Sequence, residues 1–215
     1  MPQIKVSKLT EQTYPRGLKL LSKREPAFAK ILKTLGPPPL WARKAGFPTL
    51  IHIILEQQVS LASARAAMNR LSAAAVPLTP QRFLELGDAE LKRIGFSRQK
   101  TIYGRDLAQS ILEGKLDLRA LGKMDDAAVR SELLKIKGIG LWTADIYLLM
   151  ALRRPDIWPH GDLALAVAVQ KIKRLPARPT QDELDALSLR WRPWRAVAAR
   201  LLWHYYLRNR AINPK

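Results

Sequence analysis

"LKIKGIGLWTA" spans residues 134–144 and sets two glycines, Gly138 and Gly140, around one isoleucine, just ahead of Trp142 and a run of helix-forming residues. Residues 125–135 before it read as a helix, 136–140 as a hairpin and 141 onward as a second helix. Both glycines therefore fall where the backbone must turn sharply. Glycine tolerates positive φ and has no Cβ to obstruct a close neighbour. The first turn of the following helix has main-chain N–H groups with no intrahelical partner, at the positive end of its dipole, where a phosphate oxygen binds well. An ordinary helix–turn–helix connection would use the same two glycines, so the surroundings must decide.

Those surroundings are helical almost everywhere. In residues 47–71 the apolar side chains Leu50, Ile51, Ile54, Leu55, Leu61 and Ala64 recur at helical spacing, with a break at Val59 and Ser60, where Ser60 caps a second helix. Further helices are predicted over 80–86, 88–94, 98–113, 125–134, 140–152, 162–172, 181–189 and 193–210. Gly95, Gly114, Gly122, Pro155, Pro159, Pro176, Pro179 and Pro193 punctuate them. No alternating strand pattern stands beside them. "GPPP" at 36–39 reads as a stiff connector. The expected class is all-α, a multi-helix domain with short connections.

Charge points to a polyanionic partner. The 215 residues carry 37 Lys and Arg against 18 Asp and Glu, a net charge of +19. Such an excess profits from phosphate contacts and the counterions they release. It is concentrated at the ends, with ten basic residues against two acidic in 1–50 and eleven against three in 170–215. The expected organisation over 1–215 is a basic lobe from 1–50 and 175–215 packed beside a central helical lobe, 51–174, the two flanking a cleft. The absence of cysteine excludes disulfides, thiolate zinc sites and Cys-ligated iron–sulfur clusters. "MPQIKVSKLTEQTYPRG" lacks the apolar core of a signal peptide, and no stretch is apolar for long enough to span a bilayer. A monomeric, intracellular protein of the cytoplasm, acting at the chromosome, is expected.

"LKIKGIGLWTADIYLLMAL" followed by "DIWPHGDLALAVAVQKI" resembles the helix-hairpin-helix and the Gly/Pro-rich loop with aspartate that define the HhH-GPD superfamily of DNA glycosylases. Within it the resemblance is to the alkylpurine, 3-methyladenine DNA glycosylase II (AlkA-like) branch. Upstream, "IIHIILEQQVSLASA" resembles that branch's "ILGQQVS" segment, and "RPWRAVAARLLWHYY" resembles its C-terminal helix, so the likeness covers residues 47–207 in order. The chain departs from the pattern at Lys137, where the family has proline, at Glu56, where it has a small residue, and at Ile146, where it has an aromatic. The amino-terminal β-rich domain of some members has no counterpart here, so a minimal catalytic unit is expected.

The resemblance implies a monofunctional glycosylase that excises alkylated purines from double-stranded DNA in base excision repair, using a fold of two helical lobes. Such an enzyme rotates the damaged nucleotide out of the stack and hydrolyses the C1′–N bond. A fixed carboxylate stabilises the positive charge that develops on the sugar and orients water. Asp162, 20 residues after Trp142, matches the catalytic aspartate. Read alone, it would be an N-cap of the helix that follows. Strand-nicking members carry a lysine at the position of Trp142, whose amine attacks the sugar; tryptophan there implies no lyase step.

Trp142 and Trp203 would line the base pocket, where an indole face attracts a cationic alkylpurine. Core packing is the alternative for tryptophans, and the expected one for Trp191 and Trp194. DNA contacts are expected from Lys137, Gly138, Ile139, Gly140, Gln57, Gln58 and Ser60, with Gln58 at the position from which relatives fill the gap left by the flipped base. Asp145 reads as a partner to the site rather than part of it. No cofactor is required. The main-chain carbonyls of Leu134, Ile136 and Ile139 would hold a monovalent cation by resemblance, whereas His52 and His160 lack partners for a zinc site. Open alternatives are a noncatalytic helix-hairpin-helix DNA-binding protein, or a glycosylase for uracil, hypoxanthine or oxidised purines.

Overall fold

The computed structural model describes residues 6–212, without the side chains of 210–212. Lys5, Arg210 and Lys215, counted above among the basic ends, lie outside the described residues or side chains. All regular structure among the described residues is helical, and none of the helices is long and apolar enough to cross a membrane. The chain divides into two compact units, one of residues 1–42 with 153–215 and the other of 43–152.

The first unit opens with α1 (Tyr14–Arg24) and α2 (Pro26–Leu35). Neither was expected. Pro15 and Pro26 both sit in the first turn of a helix, where a missing N–H costs nothing and a fixed φ is already helical.

The second unit follows as α3 (Phe47–Glu56), α4 (Leu61–Ala74), α5 (Pro80–Glu85), α6 (Asp88–Ile94), α7 (Arg98–Leu112), α8 (Asp126–Leu134) and α9 (Leu141–Ile146). A π-helical turn, Tyr147–Ala151, prolongs α9. Helix α3 is its centre. Leu50, Ile51, Ile53 and Ile54 are fully buried, and α4, α7, α9 and the π turn all pack against it. Each such side chain contributes about 1.5–3 kcal/mol by leaving water. Ser60, Ser97 and Asp125 cap α4, α7 and α8 by accepting N–H bonds from the first turn.

The chain then returns to the first unit as α10 (Leu163–Lys173), α11 (Gln181–Ser188) and α12 (Arg195–Ile212). Residues 153–174 thus belong with the chain ends, not with the central helices to which charge patterning gave them. Charge marks a surface and is silent about which apolar faces meet. Helix α12 packs on α10, α2 and α1. Trp191 and Trp194 lie in this core, and a Cβ on Gly17 would come within 2.7 Å of the Trp194 ring. Arg200, in the same unit, is wholly buried. Its guanidinium donates to the carbonyls of Leu40 at 2.7 Å and Ala196 at 2.8 Å and sits 5.9 Å from the centre of the Tyr14 ring. Burial pulls its pKa down to about 10.

Candidate functional site

The hairpin between α8 and α9 is built around Gly138. Its φ is +84°, and a Cβ there would lie 2.1 Å from the Tyr103 ring, so both backbone and space require glycine. Gly140 differs from expectation. Its backbone is extended (φ −94°, ψ −179°), and a Cβ would meet nothing within 4 Å. The open side of Gly140 gives another molecule room to approach the main chain. The Lys137 N–H donates to Asp106 Oδ2 at 2.9 Å, and the Ile139 N–H to the Ile136 carbonyl at 3.1 Å. The exposed Lys137 side chain therefore supplies that residue's positive charge, while its N–H serves the turn.

The turn between α3 and α4 meets this hairpin. Gln57 Nε2 donates to the Gly138 carbonyl at 2.9 Å and to Thr143 Oγ1 at 3.0 Å, so both amide hydrogens of Gln57 act inside the protein. Gln58 takes a left-handed backbone (φ +57°) and is exposed, with Val59 beside it. Strain of this kind at a non-glycine residue collects at ligand-gripping turns. Gln57, Gln58, Gly138, Ile139 and Gly140 all line one groove of about 590 Å³, shared with Ser97, Lys100 and Tyr103 of the α6–α7 turn and α7. Ser60 is not among its walls; its hydroxyl accepts the Ser63 N–H at 3.1 Å as a helix cap. Lys100 donates to the Leu55 carbonyl at 2.7 Å, and burial lowers its pKa. Lys100 and Tyr103 were missed in sequence, although their i, i+3 spacing puts them on one face of α7.

Glu56, the residue that departs from the family pattern, accepts a bidentate pair from Arg43 at 2.6 and 2.9 Å, with His52 Nε2 at 3.7 Å. Burial lowers the His52 pKa, outweighing Glu56, and Arg43 and Arg65 add to the fall. His52 thus resists a proton that the unfolded chain accepts near pH 6.5. Its contribution to stability is complete above that pH and is lost as pH falls through the lowered folded value. The difference in melting temperature between pH 7.5 and 5.5 should shrink in His52→Asn relative to the parent.

Trp142 is half-buried in the first turn of α9, and Ile146 one turn on is core. Asp145 is buried and ion-paired to Arg130 Nε at 2.6 Å, fastening α9 to α8 on either side of the hairpin. Among the described residues no cluster of His, Asp or Glu could hold a metal ion.

Asp162 and Trp203 belong to the other unit. Asp162 caps α10: its Oδ1 accepts the Leu165 N–H at 2.9 Å and also the Trp203 indole N–H at 3.1 Å. Trp203 thus touches the carboxylate through its indole nitrogen, a role its expected place in a base pocket did not include. The residue is 8 % exposed, and in such a medium a carboxylate acts more strongly on a nearby positive charge than it would in water. The loop before it is pinned at Asp156, which accepts from Arg195 at 2.8 and 2.9 Å. Trp158 and Pro159 are buried, and Gly161 turns the chain at φ +72°. This arrangement can hold a fixed negative charge at the start of a helix, beside an exposed loop.

The family described as "HhH-GPD superfamily base excision DNA repair protein" matches residues 51–193. A Bacillus subtilis relative named DNA-3-methyladenine glycosylase is 31% identical over 123 residues, 57% of this chain and 41% of that one. The Schizosaccharomyces pombe "Alkylbase DNA glycosidase-like protein mag2" is 26% identical over 200 residues, covering 90% of this chain and 94% of its own. This chain spans 43% and 41% of the lengths of two Bacillus subtilis relatives. A solved structure of S. pombe 3-methyladenine DNA glycosylase (Mag1) with abasic DNA superposes with a TM-score of 0.79 at 24% identity, covering 87% of this chain and 95% of that one. That likeness establishes the all-helical fold.

Proposed function

The chain belongs to the HhH-GPD superfamily of base excision DNA repair proteins, and from that membership we propose that it is a monofunctional DNA glycosylase for alkylated purines of the 3-methyladenine and 7-methylguanine type. One observation carries the reading: a carboxylate, Asp162, is held in place by the Leu165 N–H and the Trp203 indole. Rigid placement of charge, made before the reaction, is what stabilises a transition state cheaply.

In the proposed reaction the C1′–N bond breaks and its electron pair leaves with the base. An alkylated purine is cationic before this step and neutral after it, so it departs with little acid catalysis. Asp162 stabilises the electron-poor sugar, a water oxygen bonds to C1′, and the proton that water gives up passes to Asp162 or solvent. The product is an abasic site. Trp142 offers an indole face to the cationic base and, having no amine, cannot form a Schiff base with the sugar. The hairpin of Gly138, Ile139 and Gly140 with Lys137 receives a DNA phosphate, and the exposed, left-handed Gln58 enters the duplex where the nucleotide leaves it. Gln57 serves this indirectly, by joining the turn of Gln58 to the hairpin.

No cofactor is required for these steps. Main-chain carbonyls suit a monovalent cation, and the Ile136 carbonyl, accepting one N–H from Ile139, has a second lone pair. With Leu134 and Ile139 it would hold such an ion and steady the turn. The enzyme is proposed to act as a monomer at the chromosome, in the cytoplasm.

The test is a panel of duplexes, each with one lesion. Release of 3-methyladenine and 7-methylguanine in preference to uracil, hypoxanthine and 8-oxoguanine is expected. Preference for one of the latter group would reassign the substrate, and tight binding without release from any duplex would leave a DNA-gripping protein.

A further inference from the structure

Helix α11 reaches the loop that carries Asp162 through Gln181 and through Asp185, whose Oδ2 lies 4.0 Å from His160 Nδ1. Gln181, its first residue, accepts the Gly161 N–H on Oε1 at 2.8 Å. The other end of the same amide donates to Asp185 Oδ1 at 2.7 Å. This second bond fixes which way the amide faces: the carboxylate takes a donor, so the carbonyl oxygen is left for Gly161. The start of α11 is itself braced by a capping box, in which Thr180 and Glu183 exchange bonds at 2.7 and 3.3 Å.

His160 and Gly161 are the exposed part of this loop, between the buried Pro159 and the buried Asp162. Upstream the loop is held by the Asp156–Arg195 pair, and downstream the Asp162 side chain is held by Leu165 and Trp203. The bond at Gly161 lies between these anchors and is adjacent in sequence to the reacting carboxylate. Gly161 takes the left-handed backbone (φ +72°) without crowding, since a Cβ there would meet nothing within 4 Å. The Gln181 contact is thus a direct hold on the Gly161 peptide itself, beside the longer approach of His160 Nδ1 to Asp185 Oδ2 at 4.0 Å.

We propose that Gln181 is a positioning residue for Asp162: its carbonyl, oriented by Asp185, fixes the Gly161 peptide and through it the direction from which the carboxylate meets the sugar. This rests on the glycosylase reading above. A displacement of this kind changes the chemical step and leaves DNA binding alone, because the proposed phosphate contacts are made by other residues.

Gln181→Met keeps length and loses both hydrogen bonds. Gln181→Glu combined with Asp185→Asn restores them with polarity exchanged across the pair: a carboxylate accepts from Gly161 while the new amide at 185 donates to it. In single-turnover base release from a 7-methylguanine duplex, Gln181→Met should be slower by about tenfold, the loss expected for one oriented hydrogen bond. Its DNA dissociation constant should stay within about twofold of the parent's, and the double variant should recover most of the rate. Amide exchange at Gly161, followed by NMR, should be faster in Gln181→Met and slow again in the double variant. An unchanged rate in Gln181→Met, or a loss that the double variant does not recover, overturns the role. If the parent itself releases no base from any duplex, the glycosylase reading fails and this role with it; a parent that is active, with Asp162→Asn inactive and Gln181→Met equal to the parent, rejects only the inference about Gln181.

Discussion

Asp162→Asn should lower single-turnover base release by about 10²–10³-fold, the scale on which preorganised charge acts in other enzymes. The substitution keeps the shape of the side chain and removes its charge. Asparagine caps a helix as well as aspartate does, and its amide oxygen can still accept the Leu165 N–H and the Trp203 indole N–H that Oδ1 accepts now. Both of these bonds should therefore survive, and with melting temperature and DNA affinity measured beside the rate and found equal to the parent's, the missing rate reports the lost charge. Were Asp162 only a helix cap, the variant would be as active as the parent.

Gly138→Ala should have the largest effect on the hairpin. A left-handed backbone costs a non-glycine residue about 1–2 kcal/mol, and the added Cβ would stand 2.1 to 2.5 Å from three atoms of the Tyr103 ring. Those atoms are at the root of the ring, so Tyr103 cannot swing its tip aside; overpacking of this sort adds about 1–3 kcal/mol. The hairpin would have to move, carrying with it the carbonyl that Gln57 holds. A fall in DNA affinity of more than about tenfold, measured by fluorescence anisotropy, is expected beside a lower melting temperature. Gly140→Ala provides the contrast. With extended backbone and nothing within 4 Å of the new Cβ, it should fold as the parent does, and any loss of affinity would locate the DNA at that open side.

What could be read in the sequence was what is coded locally. The Gly138 turn, the break at Val59 and Ser60, and Asp162 at the head of a helix each depend on residues within a few positions of one another, and the structure places a turn, a cap and a cap there. Helices α1 and α2 lie where no helix was predicted, although each has a proline in its first turn, a local signal for a helix start. The boundary at 152/153 was illegible because it follows apolar packing, whereas the chain's most visible pattern is charge.

The site's tertiary ties were beyond reach. Gln57 meets Gly138 across 81 residues, and Trp203 meets Asp162 across 41. No periodicity records such pairs, since each partner sits in its own helix or turn with an ordinary local environment. Gly140 teaches the converse. Its glycine, which looked conformational, is required by neither φ nor internal space, and its openness became visible only with the neighbouring atoms in place.

The most direct test of the account follows both fragments of one reaction. A duplex with a single 7-methylguanine is incubated with the enzyme, the free base is measured by chromatography, and the strand is examined with and without hot alkali. Released 7-methylguanine is expected, with a strand that stays whole until alkali cleaves the abasic site. A strand nicked without alkali would contradict the water-only mechanism, and a lesion bound but never released would contradict catalysis altogether.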